Sequence, residues 1–272
     1  MPDHSSDLYI DLLKKSLTNW LYADTEWHPI GREGSLRRRF SQGLSWLLRR
    51  PVQVLQKRPY NPEERKNGLD WPPYAHTMVG LSRLDQLQTC IDTVLRENIP
   101  GDFIETGVWR GGTVIFMRAV LKARGVSDRK IWAADSFAGL PPPSGKYEAD
   151  QGDQHFTFSE LAVSLEEVKN NFRKYGLLDE QIVFLKGWFS ETLPTAPIQN
   201  LAIARLDGDM YESTIDALNA LYEKVSPGGF LIVDDYAIPG CRKAIHDYRN
   251  THGIIETIVP IDGSAVYWRK KL

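Results

Sequence analysis

Hydrophobic and polar positions follow one repeating plan over most of the chain. From about residue 100, apolar runs of strand length alternate with amphipathic stretches of helix length. The predicted strands cover residues 102–106, 130–135, 182–186, 201–206 and 229–233, with closing strands near 254–260 and 265–269. The predicted helices cover 112–124, 164–175, a stretch capped by Ser213, and 241–251. This alternation predicts a doubly wound, mostly parallel α/β sheet of Rossmann-like type, occupying residues 99–272.

Residues 1–98 depart from this plan and are predicted to form a helical and lid segment. Helical periodicity covers residues 8–22 and 82–98, whereas residues 23–75 are rich in Arg, Pro and Gly. Within that stretch an apolar helical face lies among arginines and comprises Leu36, Phe40, Leu44 and Leu47. We expect a lid that orders over the active site when ligands bind, or a subunit contact. The alternative is a helix lying on a membrane surface.

Composition excludes several classes of protein. The net charge of −2 does not favour a nucleic-acid partner, which needs a strongly basic face. Cys90 and Cys241 match no zinc or redox spacing, so we expect reduced thiols. The first residues lack the basic-then-apolar pattern of a signal peptide, and no apolar run is long enough to span a bilayer. A cytoplasmic protein with no membrane association is therefore expected.

A glycine-rich turn follows the first predicted strand of the sheet. Residues 105–112 place glycines where the backbone must approach a ligand closely, at the start of a helix. Trp109 stands where a dinucleotide motif has its middle glycine, so the turn better fits the methionine end of S-adenosylmethionine. Asp135 ends the next strand and can accept hydrogen bonds from ribose hydroxyls, and residues 187–189 offer aromatic faces to adenine. The alternatives are a turn without ligand, a helix cap at Asp135, and aromatic residues that serve only the core.

Four aspartates follow two later strands of the predicted sheet. Asp207 and Asp209 come after one strand, and Asp234 and Asp235 after the next. Adjacent parallel strands bring such side chains together at the ligand-binding edge, where like charges repel unless a cation neutralises them. Oxygen ligands without His or Cys suit Mg²⁺. The alternative, in which each aspartate caps a helix, explains one or two of them but not four.

Together these stretches resemble the macrocin O-methyltransferase family, which includes the mycinamicin and novobiocin sugar O-methyltransferases. The resemblance spans residues 77–250 in the order typical of the family. The matching stretches are 77–80 with 83–84, 105–112, 135–141, 163–166, 187–189, 206–209 with 211–214, and 227–229 through 234–236. Residues 23–75 match poorly, so the resemblance does not identify the acceptor.

The resemblance implies a class I methyltransferase that uses S-adenosylmethionine and Mg²⁺ to methylate a sugar or other hydroxyl of a natural product. It implies that Asp207, Asp234 and Asp235 bind the metal and that Asp209 is the general base, since Met210 stands where catechol-type relatives have a lysine. It also implies a small-molecule acceptor and a homodimer or larger homo-oligomer. The implied cofactor-binding residues are Thr77, Met78, Glu105, Thr106, Gly107, Val108, Trp109, Asp135, Ser136, Phe137, Ala138, Gly139, Gly187 and Trp188.

Two other functions remain open from the sequence. Asp207-Gly208-Asp209 is formally the DxD motif of metal-dependent glycosyltransferases. That hypothesis explains the metal but not the glycine-rich turn or the pair Asp234-Asp235. A sheet domain without activity, serving as an assembly module, is the other alternative, although it has no reason to retain a repulsive aspartate cluster.

Overall fold

Nine strands are present in the part of the chain that the computed structural model describes, which comprises residues 4–29, 49, 54–57 and 59–271. They are β1 (Trp27–Pro29), β2 (Leu55–Lys57), β3 (Asp102–Thr106), β4 (Ile131–Asp135), β5 (Ile182–Lys186), β6 (Leu201–Leu206), β7 (Val225–Val233), β8 (Val259–Pro260) and β9 (Val266–Arg269). Seven of them form one sheet in the order β5-β4-β3-β6-β7-β9-β8. The first five of these pair in parallel, and β9 pairs antiparallel with both β7 and β8. The predicted doubly wound, mostly parallel sheet is confirmed.

Helices cover both faces of this sheet. They are α1 (His4–Leu17), α2 (Pro62–Lys66), α3 (Leu81–Arg96), α4 (Gly112–Ala123), α5 (Leu165–Lys174), α6 (Phe189–Thr192), α7 (Tyr211–Leu221) and α8 (Pro239–Thr251). One apolar core joins α1, α3, α4 and α5 to the sheet, and a second joins α7 and α8 to the opposite face. The strand order reverses between β3 and β6, so a crevice opens at their carboxyl ends.

Most predicted elements agree with the structure to within a few residues, and two local predictions were wrong. Only Val259–Pro260 of the predicted strand 254–260 pairs with a neighbour. Ser213 does not cap a helix, because α7 begins at Tyr211 after the N-cap residue Met210. A carboxylate from a distant loop satisfies the first amides of α7 instead, which local sequence patterns do not reveal.

The N-terminal segment is attached to the sheet domain at both of its ends. Helices α1 and α3 share one core with α4, so the described residues of the N-terminal segment pack directly against the sheet domain. Buried Arg65 donates hydrogen bonds to Glu26, to Asp70 and to the carbonyl of Thr18. The apolar face predicted around Leu36 to Leu47 lies outside the described residues. No helix in the described ranges has the length and apolar character needed to cross a membrane.

Candidate active site

A cavity of about 260 Å³ opens at the carboxyl ends of β3, β4, β5 and β6. Of the predicted cofactor-binding residues, those that line it are Met78, Gly107, Trp109, Asp135, Ser136, Gly139, Gly187 and Trp188. Asp207 and Asp209 line it from the other side, together with residues of the loop after β4. The sequence-predicted cofactor turn and aspartate pair therefore share one cavity.

Six further predicted residues do not line this cavity. Thr77, Glu105, Thr106, Val108, Phe137 and Ala138 lie behind its wall or beside it. Thr77 is buried and accepts a hydrogen bond from the amide of Val79. Glu105 is completely buried and faces Arg205. The structure thus gives these residues supporting contacts, and direct cofactor contact by them stays a prediction.

Gly107 brings the glycine-rich turn into direct backbone contact with the acidic strand end. Its φ is +89°, and a Cβ atom placed there would lie 1.6 Å from the carbonyl oxygen of Asp207. The amide of Asp207 donates to the carbonyl of Thr106 at 2.8 Å. Only glycine fits this position, because any side chain would force β3 and β6 apart.

Asp135 organises the glycine-rich turn through backbone amides. Its Oδ2 accepts from the amides of Val108 at 2.6 Å and Trp109 at 3.3 Å, while its Oδ1 accepts from Phe137 at 2.6 Å. Burial raises the pKa of Asp135, and these hydrogen bonds oppose that shift. Asp135 therefore holds two turns and is not the helix cap of the alternative hypothesis, since α4 begins only at Gly112. Its Oδ2 already accepts two amides, whereas Oδ1 accepts one amide and a longer contact of 3.5 Å from the Ser136 hydroxyl, so Oδ1 can still accept from a ribose hydroxyl.

Left-handed backbone conformations occur at three of these strand ends. Trp109 has φ +47°, Phe137 +55° and Asp209 +58°, following β3, β4 and β6 respectively. Such conformations are costly for aromatic residues and collect at functional sites. Side-chain contacts also fix the position of Trp109. Its indole N–H donates to the carbonyl of Glu160 at 2.9 Å, and the Arg110 guanidinium lies 4.3 Å from the centre of its ring.

Three aspartates converge at the carboxyl ends of β6 and β7. Asp207, Asp234 and Asp235 each offer one oxygen, and these oxygens lie within 4.8 Å of one another. Asp209 lies beside them, and its backbone amide donates a hydrogen bond to Asp235 Oδ2 at 2.9 Å. The structure brings all four predicted aspartates together, with three forming the group of metal-binding geometry and the fourth adjoining it.

Two buried arginines, to which the sequence analysis assigned no role, support this cluster. Arg205 on β6 donates to Glu105, Asp207 and Asp234. Arg83 on α3 donates to Asp234 and to Asp262. The sequence did contain a signal for the role of Arg205, because it is the one charged residue in a six-residue strand that is otherwise apolar. Asp262 had no such signal, because it lies in an irregular loop.

The arginines do not balance the acidic charge. Six carboxylates (Glu105, Asp207, Asp209, Asp234, Asp235 and Asp262) face two guanidinium groups. Among the described residues, neither Asp209 nor Asp235 forms an ion pair with Arg or Lys. Burial and then the neighbouring carboxylates raise the pKa of Asp209 to about 7 and that of Asp235 far above its usual value. The cluster therefore has the geometry and the charge deficit that suit a divalent cation.

Sheet order, glycine-rich turn and acidic edge together define a class I methyltransferase. The chain belongs to the macrocin-O-methyltransferase (TylF) family, whose model matches residues 6–270. It is therefore an S-adenosylmethionine-dependent O-methyltransferase, which leaves the glycosyltransferase and assembly-module hypotheses without support.

Relatives of known activity match almost the whole chain. An 8-demethyl-8-(2,3-dimethoxy-α-L-rhamnosyl)-tetracenomycin-C 4'-O-methyltransferase of Streptomyces olivaceus is 49% identical, covering 99% of this chain and 95% of the relative. The mycinamicin III 3''-O-methyltransferase of Micromonospora griseorubida is 43% identical, covering 99% and 98%. The solved structure of the O-methyltransferase NovP is 45% identical, covers 98% of this chain and 100% of that chain, and has a TM-score of 0.85.

Proposed function

We propose that this O-methyltransferase methylates a sugar hydroxyl of a glycosylated natural product and requires Mg²⁺ held by Asp207, Asp234 and Asp235. The observation that carries the proposal is the convergence of these aspartates beside Asp209 at the cavity shared with the glycine-rich turn. The sugar is inferred from relatives, since one of those named acts on a rhamnosyl tetracenomycin.

The donor set fits a magnesium ion. Three carboxylates supply hard oxygen ligands, and the cluster lacks positive charge. When bound, Mg²⁺ lowers the pKa of a hydroxyl that it coordinates. Asp207 and Asp235 would provide the adaptable ligands, because both oxygens of Asp234 already accept hydrogen bonds from Arg83 and Arg205. These two arginines fix the orientation of Asp234 and so the geometry of the site.

The cofactor would lie along the other wall of the cavity. Gly107, Trp109, Asp135 and Trp188 line this wall. The turn would face the methionine end of the cofactor, Asp135 would accept from its ribose, and Trp188 would lie beside its adenine. S-adenosylmethionine supplies the electrophilic methyl group. The protein's contribution on this side is alignment, because methyl transfer requires the acceptor oxygen, the carbon and the sulfur in line.

Asp209 is proposed as the general base. Its left-handed turn exposes it to the cavity next to the metal ligands rather than among them. As the acceptor oxygen forms its bond to the methyl carbon and the carbon–sulfur bond breaks, Asp209 takes the hydroxyl proton. A cytoplasmic location, homo-oligomerisation and the closing of residues 23–75 over the site remain predictions from the sequence.

The decisive experiment is a mass-spectrometric assay with deoxysugar glycosides of polyketides. The purified chain receives S-adenosylmethionine and Mg²⁺, and the products are fragmented to separate sugar from aglycone. We expect one added methyl group in the sugar fragment, none in excess chelator, and none with Asp207→Asn under limiting Mg²⁺. A methyl group found in the aglycone would contradict the sugar assignment, and full turnover in chelator would contradict the metal.

A further inference from the structure

Helix α7 begins directly after the acidic turn, and its first amides are satisfied from elsewhere in the chain. Its N-cap residue Met210 has no side-chain oxygen to accept them. The amide of Tyr211 donates to Asp150 Oδ1 at 2.7 Å, and that of Glu212 donates to Asp150 Oδ2 at 2.9 Å. A carboxylate beside a helix N-terminus is also stabilised by the helix dipole. One side chain therefore caps α7 from a position 61 residues away.

Asp150 is the buried member of a set of contacts between α7 and the loop after β4. It is 4% exposed, and Gly240 at the start of α8 packs against it so closely that a Cβ there would lie 3.3 Å from Oδ1. The other two contacts, from Ser144 to Glu212 and between the rings of Tyr147 and Tyr211, are more exposed to solvent. Asp150 is thus the contact best shielded from competition by water.

The same carboxylate connects two segments that form the wall of the cavity. On one side it fixes the residues that follow Asp209, whose own amide is held by Asp235. On the other side it anchors the loop whose residues Leu140, Pro141, Pro142 and Ser144 line the cavity. Displacing Asp150 therefore releases the downstream end of the acidic turn and the facing wall together.

We propose that Asp150 is a positioning residue for methyl transfer, which holds Asp209 and the cavity-lining loop in register by capping α7. The proposal rests on the role proposed above for Asp209. Asp150 contacts backbone amides of α7 and lies outside the cavity lining, so it acts through the residues it holds.

A double-mutant cycle with Asp209 tests this. Asp150→Ala should lower kcat by about 10- to 100-fold, because misplacement of a reacting group by about 1 Å can cost on the order of 100-fold. In an Asp209→Asn background the same substitution should cost clearly less kcat, because the part of the loss that acts through Asp209 is already made and only the part that acts through the loop remains. Asp150→Asn keeps one accepting oxygen and should give an intermediate kcat. Glu148→Ala removes an exposed carboxylate from the same turn and should leave kcat unchanged.

Each outcome decides between positioning and simple stabilisation. Equal kcat losses from Asp150→Ala in both backgrounds would overturn the proposal, as would a lower melting temperature with unchanged kcat. If Asp150→Ala does not fold, Asp150→Asn replaces it in the double-mutant cycle. A wild-type kcat for Asp150→Asn would then overturn the proposal. If Asp209→Asn alone leaves kcat intact, the proposed base has failed. If Asp209→Asn lowers kcat and Asp150→Ala does not, only the positioning role has failed.

Discussion

The two halves of the cavity satisfy their charges in opposite ways. In the cofactor half (residues 107–112 and 135–139), one half-buried carboxylate, Asp135, accepts hydrogen bonds from backbone amides of the turns around it. In the acidic half, Asp207 and Asp209 line the cavity and buried Asp234 and Asp235 lie against them, and two arginines neutralise part of the charge of these carboxylates. In the cofactor half, backbone amides of the chain itself supply the hydrogen bonds to the carboxylate. The acidic half lacks positive charge, and the proposed function supplies it with a further cation.

This contrast separates binding from chemistry. A site that the backbone completes is preorganised before any ligand arrives, which favours tight and uniform binding of one cofactor. A site that requires a cation is active only when the cation is bound, and the cation can hold an acceptor oxygen beside it. The halves should therefore respond differently to the same perturbation.

Removal of divalent cations should have the largest effect. We expect turnover to be lost in excess EDTA and regained on addition of Mg²⁺, because the acidic half would lack its counter-charge. Affinity for S-adenosylhomocysteine, measured by calorimetry, should change less than about 3-fold, well below one hydrogen bond to a charged group. Equal loss of turnover and cofactor affinity would show that the halves are not independent.

Asp209→Asn should have the next largest effect. We expect kcat to fall by roughly 10²- to 10⁴-fold, the usual contribution of a positioned general base. Mg²⁺ and cofactor affinities should be retained, and the residual activity should rise with pH as hydroxide replaces the base. Loss of Mg²⁺ binding with unchanged kcat at saturating metal would instead make Asp209 a ligand. Asp207→Asn is the matched variant, which should weaken Mg²⁺ binding.

Asp135→Ala tests the cofactor half. We expect cofactor binding to weaken by about 1.5–3 kcal/mol, the range for a hydrogen bond to a charged group. The loss has two sources, since the glycine-rich turn is released and a ribose acceptor is removed. Mg²⁺ affinity should not change.

The matched control for Asp135 is Asp102→Asn. Asp102 also accepts a backbone amide, from Lys130, but it lies at the opposite end of β3. Calorimetry should find its cofactor affinity normal. Unchanged cofactor affinity in Asp135→Ala would mean that this carboxylate has no part in binding.

The pH dependence of stability should show the smallest effect. The folded pKa of Asp209, raised to about 7 by burial and neighbouring carboxylates, exceeds its unfolded value of 3.8. Its stabilising contribution in metal-free protein is therefore complete below pH 3.8 and is lost as pH rises through about 7. Thermal melts should show that Mg²⁺ raises the melting temperature more at pH 8 than at pH 5.5. An equal Mg²⁺ effect at both pH values would mean that the cluster carries no excess charge.

Sequence patterns predicted the local elements and missed the contacts between residues that are distant in the chain. The strands and the strand-end positions of Asp135 and Asp207 follow from hydrophobic periodicity, because parallel strands present their carboxyl ends on one edge. Arg83 and Asp150 could not be assigned, since their partners lie 151 and 61 residues away. Ser213 shows the reverse error, in which a plausible local cap is replaced by a tertiary one.

The backbone contact at Gly107 has a consequence for changing acceptor specificity. Because the turn and the carbonyl of Asp207 meet with no room for a Cβ, the main chain sets the distance between the glycine-rich turn and the proposed metal ligands. Substitutions meant to change the acceptor should therefore leave both strand ends untouched and be made at the cavity-lining loop residues Leu140, Pro141, Pro142 and Ser144. Such variants should keep the distance between the two strand ends unchanged, because no substituted side chain takes part in the contact at Gly107.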